Sequence, residues 1–379
     1  MPKGVPGPVI SHSRAQAWET FRQRGAVGVI TFTGIGANAA TAWQRAAGNR
    51  LTPALTLADP ALDAQRGSKL AISFNGLKAE EKLFAGAPER FAVLMAKADS
   101  GMPLPHFDLN VRIRSKVRTM SRPIVSENVV GILRGSDPSL RDEYVVMTAH
   151  LDHVGVGRAV NGDSIYNGAM DNASGSALLM EMARTLAPKR EQLKRSIIFL
   201  AVTAEEKGLL GSRYYANHPT VPARAIVADL NTDMFLPLIP FRKLMVNGLE
   251  ESDLADNARQ AASEGGVEVI TDPEPEENRF IRSDQYSFIL RGIPALSFKV
   301  GFALGTPEHN TVREFRAKRY HFPSDDLEQP VDRQAAADFA KVYARIAELV
   351  ANRETRPSWN SDSYFRRLAL PRTASDREP

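Results

Sequence analysis

His150, Asp152, Asp171, Glu205, Glu206, Asp233 and His321 carry the side chains of this chain best suited to holding a metal or moving a proton. His150 and Asp152 follow an apolar run, Tyr144 to Ala149, that reads as a strand. Side chains two apart on a strand share a face. The Asp152 carboxylate is therefore expected to hydrogen-bond one ring nitrogen of His150 and leave the other free for a metal, a common carboxylate–histidine–metal pairing. Asp171 comes after a Gly/Asn/Asp-rich loop and just before Asn-Ala-Ser-Gly and a helical pattern. A carboxylate at such a turn can bridge two cations. The competing reading of this stretch is an ordinary strand-end histidine and an N-cap aspartate, and the stretch alone does not choose between them.

The elements that must position these residues break the tie. Ser196 to Val202 (SIIFLAV) is a continuous apolar run, the mark of a strand covered on both faces, and it ends in Thr-Ala-Glu205-Glu206. Ala225 to Leu230 is another, ending in Asn-Thr-Asp233. Helical patterns separate these strands at 173–186 and from Leu209 onward, with others at 251–263, 283–290 and 333–352. Alternating strands and helices predict an α/β fold with a mostly parallel central sheet and helices on both faces. Sites in such sheets form beyond the carboxyl ends of the strands. Charged groups there are costly unless paired or metal-bound. One would be a cap or an ion pair, but three strand ends plus His321, in the loop Tyr-His-Phe-Pro-Ser-Asp-Asp, argue for a metal centre. His150, Asp171, Glu206, Asp233 and His321 supply two imidazoles and three carboxylates. If Asp171 bridges, each of two cations receives three protein ligands and keeps an open position, which suits zinc used catalytically. Glu205 adjoins a ligand without being needed as one and is the natural general base.

Composition narrows the alternatives. With no cysteine, thiolate sites and disulfides are excluded, and histidine and carboxylate remain as ligands. A net charge of +4 on 379 residues, without a basic stripe interleaved with aromatics, gives no reason to expect nucleic acid as a partner. No apolar run reaches the roughly 18–20 residues of a membrane span, and the first residues lack the apolar core of a signal peptide. Oligomeric state is not readable. The first hundred residues predict a helix over 13–24, short strands at 25–32, 51–57 and 69–74, and a helix over 80–98, with no catalytic constellation. LNVRIRSKVRTM alternates like a half-exposed strand and ENVVGILRG like a second. The expected division is a small unit at 1–106, a catalytic domain at 107–352 and a polar, poorly ordered tail at 353–379. His153 is expected to line the site or lie on the surface rather than to ligate, Asp284 to be either a support of the site or a helix N-terminal acid, and His12, His106, His218 and His309 to lie on the surface.

The segments AHLDH, DNASG, AEEKGLLGS, NTD and YHFPSD, in this order, resemble the M28 family of zinc peptidases, mostly aminopeptidases. The resemblance covers about residues 107–350. It implies His150, Asp171 and Asp233 on one zinc, and Asp171, Glu206 and His321 on the other. It also implies Glu205 as general acid/base, Asp152 as orienter of His150 and Tyr320 as a helper at the oxyanion. The implied substrate is a peptide. The first hundred residues resemble the protease-associated domain found ahead of this core, begun part-way through. A signal peptide and leading segment would then precede Met1, and the protein would be periplasmic or secreted. Rival readings are a two-zinc carboxypeptidase or amide deacylase, a single-zinc acyltransferase, and a metal-free receptor or scaffold of the same fold, although the last would be expected to have lost ligands.

Overall fold

The computed structural model describes residues 17–33, 53–62, 70–116, 118 and 120–369, with isolated positions between 9 and 47. The chain divides into two compact units, Met1–Ile124 and Val125–Pro379. In the first, α1 (Ala17–Gln23) precedes β1 (Gly28–Thr33), which pairs in parallel with β2 (Leu70–Asn75), and α2 (Phe91–Asp99) follows. Phe32, Phe84 and Phe91 pack together with ring centroids 4.9–6.1 Å apart. The helix expected over 80–98 is two pieces, a turn at Ala79–Lys82 and α2, because Pro88 between them cannot continue a helix. The strand expected at 51–57 is absent from its described part, 53–57, and residues 13–16 of the first expected helix lie outside the described residues. The alternating stretch after Phe107 is also not a strand where described. Alternation needs a neighbouring ladder and a covered face, and Val111 and Ile113 keep 37% and 43% of their surface exposed.

The second unit carries a seven-stranded sheet in the order β10-β9-β11-β8-β4-β7-β3. These are β3 (Val129–Leu133), β4 (Tyr144–His150), β7 (Ser196–Val202), β8 (Ile226–Asn231), β9 (Lys243–Asn247), β10 (Glu268–Ile270) and β11 (Ala295–Val300). The three strands expected to deliver ligands, β7, β4 and β8, are adjacent and parallel, so their carboxyl ends share one edge. Antiparallel pairing occurs at β11/β9 and β3/β7, which makes the sheet mixed. Every residue of β4 is buried. Its odd-numbered side chains Val145, Met147 and Ala149 join the core formed with α3 (Ser174–Leu186), α5 (Leu254–Glu264) and α8 (Arg333–Ala351). Tyr144 and Val146 point the other way, into a core shared with Tyr215 of α4 (Leu210–Asn217) and Phe288 of α6 (Gln285–Ile289). In the Gly/Asn/Asp-rich stretch before Asp171, β5 (Gly155–Val160) and β6 (Asp163–Tyr166) form a separate hairpin, and α7 (Pro307–Lys318) precedes His321.

The segment after α8 is not a loose tail. Among its polar residues, Trp359 and Phe365 are buried against Phe280, Ile281 and Ile289, and Arg353 reaches Asp253 at 2.8 Å and Asn257 at 2.9 Å. Residues 353–369 therefore belong to the second unit, and 370–379 lie outside the described residues. The Arg195 side chain, wholly buried at the start of β7, bonds Glu143 Oε2 at 2.7 Å and the Arg353 carbonyl, tying the sheet to this segment. Removing one partner of a buried ion pair leaves the other without compensation. Arg195→Ala is expected to cost about 3 kcal/mol of stability in urea titrations; a loss below about 1 kcal/mol would show that the tie contributes little.

Candidate metal centre

His150 is the last residue of β4 and has no exposed side-chain surface. Its Nδ1 lies 2.9 Å from the backbone carbonyl of Asp152, which fixes the tautomer with the proton on Nδ1 and turns Nε2 toward Asp171 Oδ1 at 3.2 Å and Asp233 Oδ1 at 3.6 Å. The expected role of the Asp152 carboxylate is thus corrected. The strand stops at His150, so the alternation that would have aimed Asp152 at the ring no longer applies. That carboxylate instead accepts from the Ala204 amide at 2.6 Å and the Thr203 hydroxyl at 2.9 Å. It binds the tip of β4 to the tip of β7, where Ala204 takes a left-handed conformation and starts the turn carrying Glu205 and Glu206.

A second group forms beside the first. Glu206 Oε1 lies 3.1 Å from His321 Nε2 and 2.9 Å from His153 Nδ1. Asp171 Oδ2 lies 3.3 Å from the same His321 nitrogen and 3.9 Å from His153 Nδ1. Asp171 therefore turns one oxygen toward His150 and the other toward the second group, the disposition of a carboxylate shared between two sites. All five residues expected as ligands meet here.

The motif Asp171-Asn-Ala-Ser-Gly is built for this placement. Asn172 Oδ1 accepts from the Gly175 and Met234 amides at 3.0 and 3.1 Å, and its Nδ2 donates to the Thr232 carbonyl at 3.1 Å. One amide side chain so ties the Asp171 turn to both flanks of Asp233. A Cβ at position 175 would come within 2.3 Å of Asn172 Oδ1, which is why glycine stands there. Asp325, in the loop just after His321, was not singled out by sequence reasoning. Fully buried, it accepts from the Met170 and Asp171 amides at 2.9 and 3.0 Å, so the His321 loop and the Asp171 turn hold each other. Lys299, buried on β11, donates to the carbonyls of Asp233 and Met234. Under the ligands, Thr148 Oγ1 is 2.9 Å from both Asp229 Oδ1 and Asn231 Oδ1, and Asn231 Nδ2 donates to Gln285 Oε1 at 2.6 Å.

Electrostatics and hydrogen bonding show that these residues fit a metal. His150 Nε2, Glu206 Oε1, Asp233 Oδ1 and His321 Nε2 are buried and lack a hydrogen-bond partner of proper geometry although opposite charges crowd them. Buried polar atoms are seldom left so, and the ligand atoms of His150, Asp171 and Asp233 lie within 4.8 Å of one another, as those of a ligand set do. Burial lowers the His321 imidazole, yet Asp171 and Glu206 overcome it and raise it to about 9. Burial raises Glu206, but His153 and His321 bring it down to about 2. Glu205 behaves differently: burial, reinforced by the charges of Asp233 and Asp284, pushes its carboxyl up to about 10. Asp284 is fully buried, and burial raises it to about 6, so it acts within this charge cluster and not as a simple helix-end acid. Tyr320 stacks on His321 with ring centroids 3.9 Å apart, and burial and the nearby carboxylates raise its phenol. His153, expected to line the site or lie on the surface, lines it, with Nδ1 2.9 Å from Glu206 Oε1. His309 is not a surface residue: it stacks on Phe302 and approaches Glu274 at 3.3 Å. His12 is likewise buried.

The sheet and its edge of carboxylates and imidazoles define an α/β protein with a candidate metal centre. Residues 128–347 match the family described as Peptidase family M28, and the chain belongs to that family. It is 30% identical over 207 residues to Aminopeptidase YwaD of Bacillus subtilis, covering 54% of this chain and 40% of that protein. It is 27% identical over 272 residues to a probable leucine aminopeptidase 2 of Aspergillus oryzae, covering 66% of this chain and 50% of that one. The match thus spans no more than half of either relative. Among solved structures, it is similar to BSAP, a zinc aminopeptidase from Bacillus subtilis (26% identity, TM-score 0.44, 58% of this chain and 49% of that one).

The role found for Asp325 is open to a direct check. Asparagine there can accept with one oxygen only and turns an NH2 toward an amide donor. Asp325→Asn is expected to lower zinc affinity about 10- to 100-fold, the usual effect of losing an outer support of a ligand. Zinc content after dialysis against graded chelator measures it, and unchanged content would show that the Asp171 turn holds itself.

Proposed function

We propose that the chain is a co-catalytic two-zinc exopeptidase that removes N-terminal residues from peptides. The observation that carries this reading is Asp171, whose two oxygens face two separate groups of ligand atoms. His150, Asp171 and Asp233 would hold one zinc, and Asp171, Glu206 and His321 the other. When bound, such cations polarise a scissile carbonyl and lower the pKa of water. Relatives named aminopeptidase support the choice of the N-terminal bond.

The remaining residues have work that follows from their surroundings. Glu205 stands next to a ligand but outside the set, in a pocket that favours its protonated form. With cations held at the neighbouring carboxylates, that negative charge would be offset and Glu205 brought back toward the range where it takes a proton from the attacking water and gives it to the departing amine. Tyr320, kept protonated, is an O–H donor available to a developing oxyanion. Asp152 acts through its backbone carbonyl on His150 and through its carboxylate on the Glu205 turn.

Glu205→Gln keeps shape but cannot take a proton; turnover is expected to fall by about 10²–10⁴ with zinc content unchanged. Glu206→Gln should instead lose zinc, with part of its activity restored by excess metal. The reverse pattern would exchange the two roles. Asp171→Ala should lose both cations, whereas Asp233→Ala and Glu206→Ala should each chiefly weaken one, and equal losses in all three would mean that Asp171 does not bridge. Turnover of aminoacyl-anilides without turnover of N-acylated amino acids is the expected substrate result; the opposite preference would identify a deacylase or carboxypeptidase.

A further inference from the structure

We propose that His153 is an additional ligand of the second cation, so that this subsite is formed by Asp171, Glu206, His321 and His153. The proposal rests on the two-metal reading above. It changes the count of protein ligands from three and three to three and four, and gives the second subsite two imidazoles against one in the first.

Four independent features of the structure carry it. His153 follows the Asp152 tie and has only 6% of its side-chain surface exposed, so it is not a surface histidine. Its Nδ1 reaches the same Glu206 oxygen as His321, at 2.9 Å against 3.1 Å, and the two rings meet edge to face with centroids 5.4 Å apart. At 2.9 Å a hydrogen bond would be expected, yet Nδ1 and Glu206 Oε1 both lack a partner of hydrogen-bonding geometry. The same mismatch of closeness and direction marks His150 Nε2, Asp233 Oδ1 and His321 Nε2. The ligand atoms of His153, Asp171 and Glu206 all lie within 4.8 Å of one another, close enough to hold one cation. Finally, the ring has a built seat. Gly168, at the far foot of the β5–β6 hairpin, is in a left-handed conformation, and a Cβ there would fall 2.6 Å from His153 Cγ and 2.3 Å from the Asp171 carbonyl. The hairpin thus closes on the imidazole and on the bridging residue together. A histidine that served only as lining would not need its ring held between a glycine and a carboxylate oxygen. Two imidazoles and two carboxylates form a nitrogen-richer subsite, which favours zinc or cobalt over harder cations.

The test uses the full chain stripped by chelator and titrated with cobalt(II) alone, read by equilibrium dialysis and by the visible d–d bands. The unaltered chain is expected to take up two cobalt ions. His153→Ala is expected to weaken one binding step at least tenfold, leave the other unchanged, and alter the band intensity of the weakened step as a ligand is lost. Two steps within about twofold of the unaltered chain overturn the proposal. A weakened step with an unaltered band also overturns it, since His153 would then only position Glu206. Uptake of fewer than two cobalt ions by the unaltered chain would instead refute the two-metal reading, and the proposal with it. If near-ultraviolet circular dichroism shows that His153→Ala is unfolded, His153→Asn replaces it. Its amide oxygen reaches the place of Nδ1 as a weaker ligand, so a smaller loss confined to one step supports the proposal and no loss overturns it.

Discussion

Taking a carboxylate out of water costs several kcal/mol unless opposite charge or hydrogen bonds replace the solvent. Here Asp171, Glu206 and Asp233 are withdrawn together, with Asp233 raising the proton affinity of both Glu205 and Asp284. The histidines cannot answer that charge fully by hydrogen bonding, since their nitrogens and the facing oxygens meet at poor angles. Cations held by these residues, as proposed above, would resolve the conflict. Without them, the raised proton affinity of His150 and His321 makes those two rings the partial substitutes. The surrounding architecture serves to keep these groups from moving apart.

That restraint comes mostly from backbone contacts. Asp152 ties β4 to β7, Asn172 ties the Asp171 turn to the flanks of Asp233, Asp325 ties that turn to the His321 loop, and Lys299 holds the Asp233 carbonyl. Each joins two ligand-bearing segments, or a ligand to the sheet. The floor beneath is polar and mostly bonded: Thr148, Asn231 and Gln285 form a chain with Asp229, whose burial raises its carboxyl well above the ordinary range and whose Oδ2 has no partner.

Much of this was legible before the structure, and unevenly so. Apolar strands ending in His150, Glu205–Glu206 and Asp233 announce both the sheet and the active edge, because burial on both faces leaves a long, unambiguous apolar run. What was not legible depends on where regular geometry stops. Asp152 and His153 lie just past the end of β4, so strand alternation misdirected the first and dismissed the second. Asp325 acts through amide contacts with residues some 155 positions earlier, which no local pattern encodes. The alternating stretch after Phe107 has the composition of a strand but no partner among the described residues, whereas the polar stretch after α8 is pinned by Trp359 and Phe365.

The proposed ligand set is scattered from His150 to His321, with β5, β6, α3, β7, α4, β8, β9, α5, β10, α6, β11 and α7 lying between its first and last members. Contacts of such sequence separation form late, because long loops must close before they are rewarded. A cation therefore cannot organise the early chain as it does in small zinc modules, where metal uptake and folding are one event. During synthesis, a molecule that has emerged only as far as β11 owns the carboxylates of the centre but lacks His321, and with it the loop in which Asp325 braces Asp171. On the two-zinc reading proposed above, loading with metal would then be the closing act of assembly, with a newly made chain standing for a time with its acids gathered and its charge unanswered.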